Sequence, residues 1–503
     1  MELDKTFGKI FCCGNSEIKK AVIPVESSII LPDYFPDVMK ILRYTAKTVK
    51  SPVFFEGGTE TVSGNINIEV NYVSEEGELC SCSQLQPFSH GFETEGKIIA
   101  AEAEVSVGEI GCRAVNKRRI DIHGSIEIIL RTISGEEKRT VSSVSGAGAV
   151  CKTEKAETVV IAGEFYKNFT VEEKGELGFG KPPFGKVLRS SAFAEVTECH
   201  VIQDKIVTKG EIRAEVLWVP EEISETEEEG PFLSKFSFPV SRMVDAKGIF
   251  ESDICDAQYE ADFPEILPSE DGENVIIKIK VGIFARVYRK ETAEFVSDMF
   301  STDFETKAEK GKIHFINEAF PLSVTEPVFE KFDLPETAEK VLDIWLENNL
   351  PKVSEEGKVC FSSKLCLFAK DSDGTPVYFE KLLEREISSP AEGKNVAFYN
   401  LSAGIRNAEF VVSGGGKAEV SASVLIDGTI FSSLSTEVTT ECSIDTEKKI
   451  EHGDAAMLLC FAEKGEKIWD IAKKYGASLE SVMNENKISE EILSEKTMLV
   501  ITR

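Results

Sequence analysis

Along most of the chain apolar residues fall on every second position. Ile66, Ile68, Val70 and Tyr72 alternate with Asn67, Glu69 and Asn71, and Ile120, Ile122, Ile126 and Ile128 are spaced by Asp121, His123, Ser125 and Glu127. Residues 275–281 and 418–424 carry the same rhythm. A period of two marks a strand with one buried and one wet face. Turn-forming stretches divide these runs, among them Ser74-Glu75-Glu76-Gly77 and Asp371-Ser372-Asp373-Gly374. One short helix is expected over 37–45, where the Pro36 ring suits a first turn. The pattern predicts a mainly β chain of antiparallel sandwich- or barrel-like domains.

The strand pattern also recurs over a long distance. Pro36, Lys40, Leu42 and Arg43 are matched at one constant offset by Pro182, Lys186, Leu188 and Arg189. The same offset joins Gly64, Ile66, Glu69 and Val70 to Gly210, Ile212, Glu215 and Val216. A diverged third copy starts at Leu334-Pro335, continues through Val341-Leu342 and resumes at Val359. Similarity on this scale marks tandem domains. Three β repeats are expected at 1–145, 146–308 and 309–445. Two acidic or polar stretches, 221–230 and 443–454, read as a solubilising loop and a linker.

From Met457 the rhythm changes. A short strand, residues 457–462, leads through Glu463-Lys464-Gly465-Glu466 into Ile468, Ile471, Ala472 and Tyr475, which share one helix face, and Gly476 provides the stop. Ser478 stands where an N-cap is needed before Leu479, Val482 and Met483. A last strand over 497–501 completes a β-α-α-β unit spanning 455–503.

This tail resembles the LysM domain in the block Gly465-Glu466-Lys467-Ile468-Trp469-Asp470-Ile471-Ala472-Lys473-Lys474-Tyr475-Gly476, with Ser478-Leu479-Glu480 and Asn486-Lys487-Ile488 after it. The resemblance implies a small α+β fold and, in most members, binding of N-acetylglucosamine chains of peptidoglycan or chitin. Two places depart from the pattern. Gly465-Glu466-Lys467 stands for the usual Gly-Asp-Thr, and Ser494-Glu495-Lys496 replaces the usual Pro-Gly-Gln turn. Losing Pro and Gly changes the backbone angles open to that turn, and charged side chains then stand at the rim of a neutral-sugar groove.

The three copies, each with its Leu-Pro-like start and Lys-Ile-Leu-like continuation, resemble the SPOCS domain of spore-forming bacteria. SPOCS repeats ahead of one LysM domain resemble a family of spore coat assembly proteins. That resemblance implies a mother-cell cytoplasmic protein at the forespore surface. It also implies a partner, the coat-morphogenetic ATPase (stage IV sporulation protein A), held through the LysM domain. The partner-binding residues expected are Lys467, Ile468, Trp469, Lys473, Tyr475, Ser494, Glu495 and Lys496. The competing reading is a cortex-binding protein that uses the LysM domain for glycan.

Composition narrows the classes. Across 503 residues, 57 Lys+Arg against 87 Asp+Glu give a net charge of −30, which repels nucleic-acid phosphates. The densest basic run, Lys117-Arg118-Arg119, reads as a solvated strand end. No apolar h-region opens the chain and no run approaches the roughly 18 apolar residues of a membrane span, so a cytoplasmic location is expected. Twelve Cys without a CxxC pair and five scattered His are expected to be buried thiols and structural or surface imidazoles, with no metal. No GxSxG, HExxH or GxxxxGK[ST] occurs; Ser413-Gly414-Gly415-Gly416-Lys417 lacks the Ser/Thr of a phosphate loop and reads as a hairpin turn. A non-enzymatic adaptor without cofactors is expected.

Overall fold

The computed structural model describes residues 3–50, 53–56, 58–178, 181–220, 231–269, 274–333, 338–348, 351–413, 417–450 and 457–502. The acidic stretch 221–230, the third copy's start at 334–337, the glycines 414–416 and residues 451–454 of the expected linker lie outside them. The start of that expected linker, 443–449, is not a linker but strand paired with residues 304–307.

Among the described residues the alternation builds three sets of seven strands. The first holds β1 (Asp4–Ile30), β2 (Val38–Lys50), β3 (Phe54–Glu56), β4 (Thr59–Ser74), β5 (Leu79–Glu93), β6 (Ile98–Asn116) and β7 (Arg119–Ser145). The second holds β8 (Ala149–Glu176), β9 (Phe184–Ile202), β10 (Lys205–Pro220), β11 (Phe232–Asp245), β12 (Ile254–Ala261), β13 (Glu265–Pro268) and β14 (Asn274–Ser301). The third holds β15 (Phe304–Asp333), β16 (Ala338–Asn348), β17 (Lys352–Val353), β18 (Val359–Asp371), β19 (Pro376–Ile387), β20 (Val396–Ser413) and β21 (Lys417–Lys449). The tail adds β22 (Met457–Ala462), α1 (Ile468–Tyr475), α2 (Leu479–Asn486) and β23 (Thr497–Thr502). All named strand pairs are antiparallel. The chain is mainly β.

Each set pairs its first and last long strands, β1 with β7, β8 with β14 and β15 with β21, and adds β6, β12 or β20 beside the last. A second sheet is centred on β4, β10 or β18. The two sheets of the first set bury Val25, Ile120 and Ile128 against Ile66, Ile68 and Tyr72. The outer reaches of the long hairpins then pack together across the sets. Ile133, Tyr288 and Phe431 share one core there, and Ile10, Phe295 and Val438 share the next.

The short helix expected over 37–45 does not form; Val38–Lys50 is β2. Its register against β4 shifts between Val38 and Lys40 and again between Ile41 and Arg43. Each bulge adds a residue and breaks the period of two, so Val38, Ile41 and Leu42 take the spacing of a helix face while lying in a strand. Pro36 sits in the preceding loop, where its carbonyl accepts from the Tyr72 hydroxyl at 3.1 Å. Arg118 is likewise more than a solvated strand end. Its guanidinium donates to the Phe35 carbonyl at 2.6 Å and to Asp37 at 3.0 Å, clamping that loop.

Candidate functional site

The tail is assembled by its amphipathic pattern. Ile468, Ile471 and Ala472 of α1 are buried with Val482, Leu499 and Ile501. Gly476, at φ 62°, ends α1 and donates toward the Ala472 and Lys473 carbonyls. Ser478 occupies the position before α2, but its side chain makes no capping hydrogen bond. Asn486 ties α2 to β23: its amide donates to the Val482 and Val500 carbonyls at 2.8 and 2.7 Å and accepts from the Val500 N–H at 2.7 Å. Lys487, at φ 54°, ends α2 where no glycine is available.

The two loops at the mouth of this unit are joined. Gly465 N–H donates to Leu493 O at 2.8 Å, Leu493 N–H returns to Glu466 O at 3.0 Å, and Lys467 bridges to Ile492. Lys496 meets Glu463 at 2.5 Å across the opening. Ser494, Glu495, Lys496 and Lys467 are exposed. Tyr475 is half-buried, with the Lys474 ammonium 5.4 Å from its ring centre.

The other expected contact residues lie elsewhere. Ile468 is fully buried in the tail core and Trp469 is 4% exposed, so neither faces solvent. Trp469 stacks edge-on against Phe300 of β14 at 5.2 Å, and its indole donates to Asp298 at 2.8 Å. Lys473 reaches both oxygens of Asp298 at 2.7 and 2.8 Å. Burial raises the Asp298 carboxyl, but hydrogen bonds from Lys473 and Trp469 and the Lys473 charge outweigh it and hold the group below the usual carboxylate range. Asp298 has no signature in the sequence: it follows Ser297 in a strand-forming run, and its partners in the tail, Trp469 and Lys473, are more than 170 residues away.

A second concentration of charge lies where the sets meet. Arg43 of β2 pairs with Glu69 at 3.2 Å and with Glu347 of β16, while Arg189 of β9 pairs with Asp343 of β16 at 2.8 Å. Both guanidinium groups approach the Trp345 ring, at 4.9 and 4.8 Å. The sequence offset aligned Arg43 with Arg189, and the strand registers place Asp343 at the matching position of β16. Beside this cluster a cavity of about 1340 Å³ opens, lined by Lys47, Glu164, Phe193, Arg286, Asn400 and Arg406 among others. Lys47 points over the Phe263 ring at 5.3 Å, and burial holds its ammonium below the ordinary lysine range. Among the described residues no group of three or more His, Cys, Asp or Glu is arranged to hold a metal ion. All twelve Cys are free thiols; burial pushes Cys13 up to about 11 and Cys82 up to about 12, which keeps both protonated.

Fold and site together define a multi-sheet β protein carrying a small βααβ unit that meets its body through Asp298 and Phe300 of β14. Residues 184–263, from the start of β9 to just beyond β12, match the SipL, SPOCS domain family. No curated protein and no solved structure matches the chain. Among the described residues no helix is long and apolar enough to cross a membrane.

Proposed function

We propose that this chain is a non-enzymatic adaptor of spore coat assembly. Its three SPOCS-like repeats (1–145, 146–308, 309–445) form a β body, and its LysM-like tail (455–503) captures the coat-morphogenetic ATPase, stage IV sporulation protein A. It works in the mother-cell cytoplasm at the forespore surface. The observation that carries this reading is the SipL, SPOCS domain match over 184–263, which supports a sporulation-related role. The contact surface we assign is the joined loop pair, Lys467 with Ser494, Glu495 and Lys496, extended by Lys473 and Tyr475. Ile468 serves it from inside, by holding α1 in place, while Trp469, beside Lys473, lies against β14 of the body.

The glycan reading has less support. A sugar site of this kind needs a stacking platform or an open polar groove; Trp469 is turned onto the body and the Lys496–Glu463 pair spans the loop mouth. The test is binding of the purified full chain to the purified ATPase, with peptidoglycan pelleting alongside. The double variant Glu495→Arg/Lys496→Glu keeps the thermal midpoint and binds the ATPase at least tenfold more weakly, and no form pellets with peptidoglycan. Wild-type affinity in that variant, or strong pelleting, overturns the assignment.

A further inference from the structure

Asp298 is placed by a bulge. The register of β14 against β8 shifts between Val296 and Asp298, inserting Ser297, whose hydroxyl donates to the Lys152 carbonyl at 3.2 Å. Such an insertion re-aims the side chain that follows it. Here it points a mostly buried carboxylate at the tail, where it takes the Trp469 indole and Lys473 and also meets Lys310 of β15 at 3.3 Å. Phe300, 3% exposed and two residues further on, is part of the tail's own hydrophobic core. Val150 and a 3.9 Å pair between Lys152 and Glu491 lie around this centre.

We infer that this contact is an autoinhibitory latch: Asp298 and Phe300 cover the Trp469–Lys473 face of α1, and a protein partner gains that face only when the tail lifts from the body. The inference rests on the partner reading above and adds its regulation. The seven peptide units from Ile450 to Met457 reach at most about 25 Å, so a lifted tail stays tethered and re-docks readily. A partner that needs the open tail binds with an affinity reduced by the open fraction, and loosening the latch removes that reduction. The partner chemistry that fits the uncovered face is an aromatic or aliphatic residue beside a carboxylate, copying Phe300 and Asp298.

The experiment uses the full chain as wild type, Asp298→Asn, Asp298→Lys and the swap Asp298→Lys/Lys473→Glu. Trp218 and Trp345 are buried at 0% and 5% exposure within the body, so acrylamide quenching reports the release of Trp469. In Asp298→Lys, with far-UV circular dichroism unchanged, one tryptophan becomes quenchable, and affinity for the ATPase rises about tenfold. Asp298→Asn lies between, and the swap restores protection. Tryptophans that stay protected in Asp298→Lys overturn the latch. A released Trp469 with unchanged or weaker affinity overturns the competition. If neither wild type nor variant binds the ATPase, the partner reading falls and the competition with it, while quenching separately reads the docking.

Discussion

Glu60 shares the buried phase of β4 with Val62 and Ile66, and its side chain is sealed from solvent at 2% exposure. Burial, with the Glu164 charge adding to it, pushes its carboxyl up to about 7. A carboxyl raised in the fold favours the protonated state, so its penalty is absent below the unfolded value and grows as pH rises from about 4.5 through 7. Glu60→Gln removes that penalty. Urea unfolding is expected to show a gain of about 3 kcal/mol at pH 8 and less than about 1 kcal/mol at pH 5. Asn486 makes the same point about single residues: the sequence marks it only as part of a motif, while its three hydrogen bonds explain why an amide is needed.

At the scale of the element, the matched glycines are the clearest case. A Cβ on Gly64 would run into the Val49 carbonyl and the Phe88 ring, and one on Gly210 would run into the Glu195 carbonyl and the Tyr259 ring. Both positions lie where a neighbouring strand's backbone crosses close to β4 or β10. Gly64→Ala and Gly210→Ala are each expected to cost about 1–3 kcal/mol by forcing that strand away. Gly111→Ala, whose new methyl meets only the His123 carbonyl at 3.9 Å, is expected to stay within about 0.5 kcal/mol. Thermal midpoints of the three variants measure the contrast.

Across the whole molecule, the three sets are joined by a buried ionic cluster. Asp343 is fully buried and faces Arg189, which is 4% exposed, so removing the carboxylate leaves a buried guanidinium next to Arg43 with only the longer 3.8 Å pair to Glu215 among the described ion pairs. Asp343→Ala is expected to cost about 3–5 kcal/mol. Replacing both partners, Arg189→Met with Asp343→Leu, is expected to cost less than the single change, because no charge is then left unpaired. A double-mutant cycle read by denaturant unfolding tests this. The cluster also sets the third set apart: it carries an acid where the other two carry arginine, and β16 supplies partners to both arginines.

The alternation of Ile66–Tyr72 and of Ile120–Ile128, the offset linking Arg43 to Arg189 and the helix face Ile468–Tyr475 all survive in the structure, because local periodicity decides which face of an element is buried. The stretch 37–45 misled for the same reason, since two bulges imposed by pairing with β4 imitated helical spacing. Distance along the chain hid the rest. Nothing near Trp469 announces Asp298, and nothing near Arg189 announces Asp343, because these contacts are chosen by how folded surfaces meet. The chain's own order of residues therefore determined its strands, its tail helices and its acidic character. Only the packing of those elements decided that the α1 face is covered by the body, since burial and ion pairing between distant segments arise once the sheets have taken their places.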